Sequence, residues 1–138
     1  MPSLHASTAS KPLDEKITIN LGVVDLGQVD LLVQEGFYAN RTDLIRTAIR
    51  NQLAVHSEVV RQVIARKTLV LGIQHFSAAD LRQVKAAGQT LQIRVLGLAT
   101  IAPDVTPELA LATIESVTVL GALQASPAVK SALAKRLR

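Results

Sequence analysis

Three polar side chains, Lys16, Thr18 and Asn20, alternate with three aliphatic ones, Ile17, Ile19 and Leu21, in the stretch Glu15–Leu21. An ammonium, a hydroxyl and a carboxamide at two-residue intervals lie along one face of a β-strand, where they offer hydrogen-bond donors and acceptors in a row. A second set, Asn40, Arg41 and Thr42, stands where a helix is expected to start. The unpaired N–H groups and the dipole of a helix N-terminus attract an anion such as phosphate; Arg41 adds charge there and Thr42 a hydroxyl. Other chemistry finds no constellation. His5, His56 and His75 are isolated and there is no cysteine, so no metal site, disulfide or thiol nucleophile is expected. Asp80, Asp104, Glu108 and Glu115 form no acid/base pair, and the single glycines make no phosphate loop. Neither catalysis nor a cofactor is expected.

The chain has 138 residues, 49% of them hydrophobic and 2% aromatic, so its core must be aliphatic. Phe37, Tyr38 and Phe76 are too few for a platform that stacks nucleic-acid bases. No apolar run approaches the roughly 18 residues of a membrane span, and no apolar signal-peptide core opens the chain, so a cytoplasmic protein with no membrane partner is expected. The formal charge of +4 hints at an anionic partner. Its distribution is uneven: acids and bases cancel over residues 14–67, and the excess sits at Lys130, Lys135, Arg136 and Arg138. Any case for DNA must therefore rest on where individual side chains are placed.

Residues 1–13 are rich in Ser, Thr, Ala and Pro without periodicity and read as a disordered arm. Residues 15–21 read as a half-buried strand. A first helix follows, with Asp25 as a possible cap and Leu26, Val29, Leu32 and Val33 as its stripe; Gly36 stops it. Phe37 and Tyr38 are expected to pack in the connection. Asn40 caps a second helix with Leu44, Ile45, Ala48, Ile49 and Leu53 on one face. Helical spacing can continue to Lys67 with no Gly or Pro, and a helix unbroken to that point would be about 40 Å long. A lone strand before two helices has no ladder partner, and a second copy of the chain would supply it. Two such strands make an antiparallel ribbon, with Ile17, Ile19 and Leu21 packed on the helices and Lys16, Thr18 and Asn20 projecting outward. A ribbon of that kind is about the size of a DNA major groove.

Residues 15–54 resemble the ribbon-helix-helix family of bacterial DNA-binding regulators, the CopG-like group in particular. The resemblance rests on Lys16-Ile17-Thr18-Ile19-Asn20-Leu21 and, more strongly, on Asn40-Arg41-Thr42-Asp43-Leu44-Ile45-Arg46-Thr47-Ala48-Ile49-Arg50. It implies an intertwined homodimer with Ile17, Ile19, Leu21, Leu44, Ile45 and Ile49 in the shared core. Lys16, Thr18 and Asn20 would contact bases; Asn40, Arg41 and Thr42 would contact phosphate. Gly22-Val23-Val24 and Gly27 depart from the family at the join between ribbon and first helix, where members usually have a proline-containing turn.

From Thr68 onward the pattern changes, and no family resemblance is found there. Val70-Leu71-Gly72, Val95-Leu96-Gly97 and Val119-Leu120-Gly121 recur at offsets of 25 and 24 residues. Each is strand-like and precedes a helix-compatible stretch: 77–87, 107–114 and 127–137. Such a repeat predicts a small parallel sheet with helices against it. The expected fold is α+β: an arm (1–13), a ribbon-helix-helix domain (14–56), a helical extension (57–67) and a three-unit strand-helix module (68–138). The module is assigned to oligomerisation or to partner or ligand binding. The expected function is a nucleoid-associated, sequence-specific regulator of transcription, a repressor, whose partner is double-stranded DNA. Two readings stay open beside it: an assembly protein that polymerises through its repeat with DNA only as an anchor, and an antitoxin-type regulator.

Overall fold

The computed structural model describes residues 13–138. Most of the arm expected at 1–13, with His5, lies outside the described residues. Ten elements follow in order: α1 (Val23–Gln34), α2 (Arg41–Val55), α3 (Ser57–Lys67), β1 (Val70–Phe76), α4 (Ala78–Ala86), β2 (Leu91–Ile101), α5 (Pro107–Thr113), β3 (Ile114–Gln124), α6 (Pro127–Ala132) and a short 3₁₀ turn, Ala134–Arg136. The chain divides into two compact units, Lys16–Val63 and, with residues 13–15, Ile64–Arg138.

In the second unit the repeat becomes a three-stranded parallel sheet of order β1-β2-β3. The three Val-Leu-Gly cores lie side by side, Val70 on Val95 on Val119 and Gly72 on Gly97 on Gly121. The glycines are there for a physical reason. All three have positive φ (+127°, +139° and +117°), a conformation that a Cβ disfavours. A Cβ on Gly97 would also overlap the carbonyl oxygen of Gly72, and one on Gly121 would overlap that of Gly97. One bent strand thus forces glycine on the next.

Helices α4, α5 and α6 begin where polar caps precede them. Ser77 and Asp80 form a reciprocal capping box, and the backbone hydrogen bond from Ser77 holds the Asp80 carboxyl below its ordinary value. Thr106 and Ser126 cap the next two, each followed by proline at the first helical position. The helices pack on one face of the sheet. Leu81, Ala110, Val129 and Leu133 meet Ile93, Val95, Ile114 and Val117 in an aliphatic core. Each Leu, Ile or Val among them contributes about 1.5–3 kcal/mol when fully buried. Arg136 donates to the carbonyls of Leu111 and Ile114, both at 2.7 Å, tying the last turn to the start of β3. That cation of the C-terminal cluster therefore has a structural task.

Three expectations about element bounds need correcting. The long second helix is broken at His56, whose φ of −99° and ψ of 12° leave the helical region, so α2 and α3 are separate. The expected third repeat helix stops at Ala132 and tightens into the 3₁₀ turn. Helix α1 starts at Val23 with Gly22 before it, so Asp25 lies in the first turn, where its charge still suits the dipole, and makes no cap.

Candidate nucleic-acid interface

The interface is built from the unit Lys16–Val63. Lys16, Thr18 and Asn20 lie in residues 14–22, a stretch without regular secondary structure and without a ladder partner in the described chain. All three are exposed, and so are the alternating Ile17 (73%), Ile19 (59%) and Leu21. The helices provide no cover for them. None of α1, α2 or α3 has a single buried residue; Leu44 and Ile45 are half-buried and Ile49 is exposed. A unit with this many aliphatic side chains and no interior of its own lacks the burial that ordering its backbone demands.

Between α1 and α2 the chain turns through Gly36. Phe37 N–H donates to the Leu32 carbonyl at 3.0 Å and Gly36 N–H to the Val33 carbonyl at 3.1 Å, which satisfies the end of α1. Tyr38 is half-buried, but Phe37 is 71% exposed. The expected packing of Phe37 at the helix connection is thus absent from this chain alone.

The start of α2 is tightly organised. The Asn40 side-chain oxygen accepts from the Asp43 N–H at 2.8 Å, and the Asp43 carboxylate accepts from the Ala39 N–H at 2.9 Å. The backbone N–H groups of Arg41 and Thr42 precede the first helical hydrogen bond, from Leu44 N–H to the Asn40 carbonyl. Asn40 is therefore a cap first, with its oxygen already engaged. Arg41 forms a two-point ion pair with Asp30 of α1, Nε to Oδ1 at 2.8 Å and Nη2 to Oδ2 at 2.9 Å. The Arg41 hydrogen bonds and charge lower the Asp30 pKa from its ordinary 3.8, and Asp30 raises that of Arg41. Asp30 carries no signal in the sequence as a partner of Arg41, because the two residues are eleven apart on different helices, a separation that no helical spacing rule covers. The pair fixes the guanidinium beside the N-terminus of α2 and links the two helices.

Arg46 and Arg50 make no ion pair among the described residues, where the two ion pairs are Arg41–Asp30 and Arg61–Glu58. His56 shares a hydrogen bond with Gln52, and His75 one with Thr100. Among the described residues no three His, Asp or Glu side chains come together as a metal site. No helix among them is long and apolar enough to cross a membrane.

An exposed alternating segment, two helices joined by a glycine turn and a capped second helix are the parts of a ribbon-helix-helix protein. The chain matches the Ribbon-Helix-Helix transcriptional regulator family over residues 12–130 and belongs to that family. The match runs well beyond residues 15–54 and takes in most of the strand-helix module. No curated protein and no solved structure matches the chain. Membership makes the protein a DNA-binding regulator of transcription, in a family that usually acts as dimers.

Proposed function

We propose that the protein is a sequence-specific repressor in which two chains pair residues 15–21 as an antiparallel ribbon that enters the DNA major groove. The observation that carries this reading is the absence of any buried residue in α1, α2 and α3 together with the exposure of Ile17, Ile19 and Leu21. A second chain supplies both the ladder partner and the missing core, which then includes Ile17, Ile19, Leu21, Leu44, Ile45 and Ile49. Lys16, Thr18 and Asn20 project from the ribbon toward base edges. Lys and Asn offer hydrogen bonds to purines, and Thr a hydroxyl or a methyl contact to thymine. The backbone N–H groups of Arg41 and Thr42 hold a phosphate, and Asp30 orients Arg41 so that its remaining N–H groups face the same anion. The cap at Asn40 sets the helix start that makes this possible. The strand-helix module assembles the regulator further.

Selection of bound duplexes from a random library with the full-length chain tests the reading. The expected product is a family of sites with two-fold symmetry, because a two-fold ribbon reads two equivalent half-sites. Duplexes without a common sequence would instead favour an assembly protein that uses DNA as an anchor.

A further inference from the structure

We infer that the face of the parallel sheet opposite its helices is covered by the same face of the second chain in the dimer. This rests on the proposal that the unit Lys16–Val63 pairs two chains. Along each strand, alternate residues leave the helix-covered side. The register sets Leu71, Leu96 and Leu120 in one row and Ile73, Leu98 and Ala122 in the next. Leu71 is 70% exposed, Ile73 59% and Leu120 52%. Leu98 is buried but stands outside the core cluster, in a cavity lined also by Ile73, His75 and Leu13. The result is a contiguous aliphatic surface across all three strands.

Parallel sheets are as a rule covered on both faces, and among the described residues of this unit helices cover only one. The six side chains carry no charge, so two copies of the patch meet without setting like charges against each other, as an isologous contact requires. Size decides which occupant fits. With strands about 4.8 Å apart and successive outward side chains about 7 Å apart, the patch spans on the order of 200 Å² per copy. A free partner needs about 1,200 Å² or more in total for a specific, stable interface. A second copy already held by the ribbon needs far less, because tethering raises its effective concentration to the millimolar range. The patch therefore suits a tethered twin and is too small for a separate protein.

The absence of cysteine makes the test clean. Ile73→Cys or Leu120→Cys is introduced into the full-length chain, with Lys85→Cys on the helix-covered side as control. Under mild oxidation the two face variants should form interchain disulfides at least about tenfold faster than the control, at a rate independent of protein concentration. In parallel, Leu71→Lys with Leu120→Lys should weaken the dimer about a hundredfold in sedimentation equilibrium while leaving the helical and strand circular dichroism unchanged. Disulfide rates equal to the control, or a dimer unaffected by the two lysines, would overturn the inference and leave the ribbon reading intact. A parent chain that is monomeric would overturn both. Leu13 borders Ile73 and Leu98 in a cavity at one end of the face. A form lacking residues 1–12 checks the chain's own start as a rival cover. If the disulfides form quickly only in that form, the start covers the face and the inference fails.

Discussion

Replacing Gly97 by alanine should damage the strand-helix module more than the same change at Gly72. Both residues have positive φ, +139° and +127°, so each alanine meets a conformational cost of about 1–3 kcal/mol. The loss of chain entropy in the unfolded state returns about 0.4–1 kcal/mol of that in each case. The environments then differ. A Cβ at Gly72 meets nothing, whereas one at Gly97 overlaps the Gly72 carbonyl, a backbone atom that moves only with β1 itself. Displacing one or two rungs of the β1–β2 ladder costs about 1 kcal/mol each. Gly97→Ala should therefore be less stable than Gly72→Ala by about 1–2 kcal/mol, or roughly 4–16 °C in Tm for a module of this size. Gly121→Ala should follow Gly97→Ala, since its Cβ would overlap the Gly97 carbonyl. Thermal melts followed by far-ultraviolet circular dichroism, all at one protein concentration so that any association contributes equally, give the comparison. Equal melting temperatures for the three variants, or Gly72→Ala as the least stable, would refute the glycine ladder as the reason for the repeat.

Asp30 titrates with the sign of a depressed carboxylate. Its contribution to holding α1 on α2 is present above the unfolded value of 3.8 and fades as pH falls through the lower folded value. Asp30→Asn should remove that part of the acid sensitivity, and a pH titration of the unfolding midpoint in parent and variant measures it. Thr68 holds φ at +55° where α3 ends, with its N–H donating to Ala65 and that of Leu69 to Ile64, the hydrogen bonding of a glycine-type helix stop. A β-branched residue there is strained, so Thr68→Gly should stabilise the chain by about 1 kcal/mol in urea unfolding.

What the sequence revealed depended on how local the cause was. The caps at Asn40, Ser77 and Ser126 were legible because capping acts within three or four residues. The parallel sheet was legible because the glycine ladder repeats the same constraint on every strand, leaving Val-Leu-Gly written three times. The break at His56 was not, since neither Gly nor Pro marks it. From sequence alone Arg41 is a cation at a helix end. Its pairing with Asp30 depends on how two helices approach across a turn, which no spacing within one helix encodes. The alternation of residues 15–21 promised a half-buried strand, yet those side chains are exposed in the single chain. Alternation specifies a face to be buried and says nothing of whether the burying surface comes from the same chain.

The central claim, that the paired segment reads bases, is tested most directly by comparing the parent with Lys16→Ala and Asn20→Ala on a selected site and on a scrambled duplex at one salt concentration. Both side chains are exposed and touch no core, so the fold should be unaffected. Each variant should lose about 1–3 kcal/mol per base contact, close to 5- to 150-fold in affinity, on the selected site and much less on the scrambled one. Variants that discriminate between the two duplexes as well as the parent does would contradict ribbon readout.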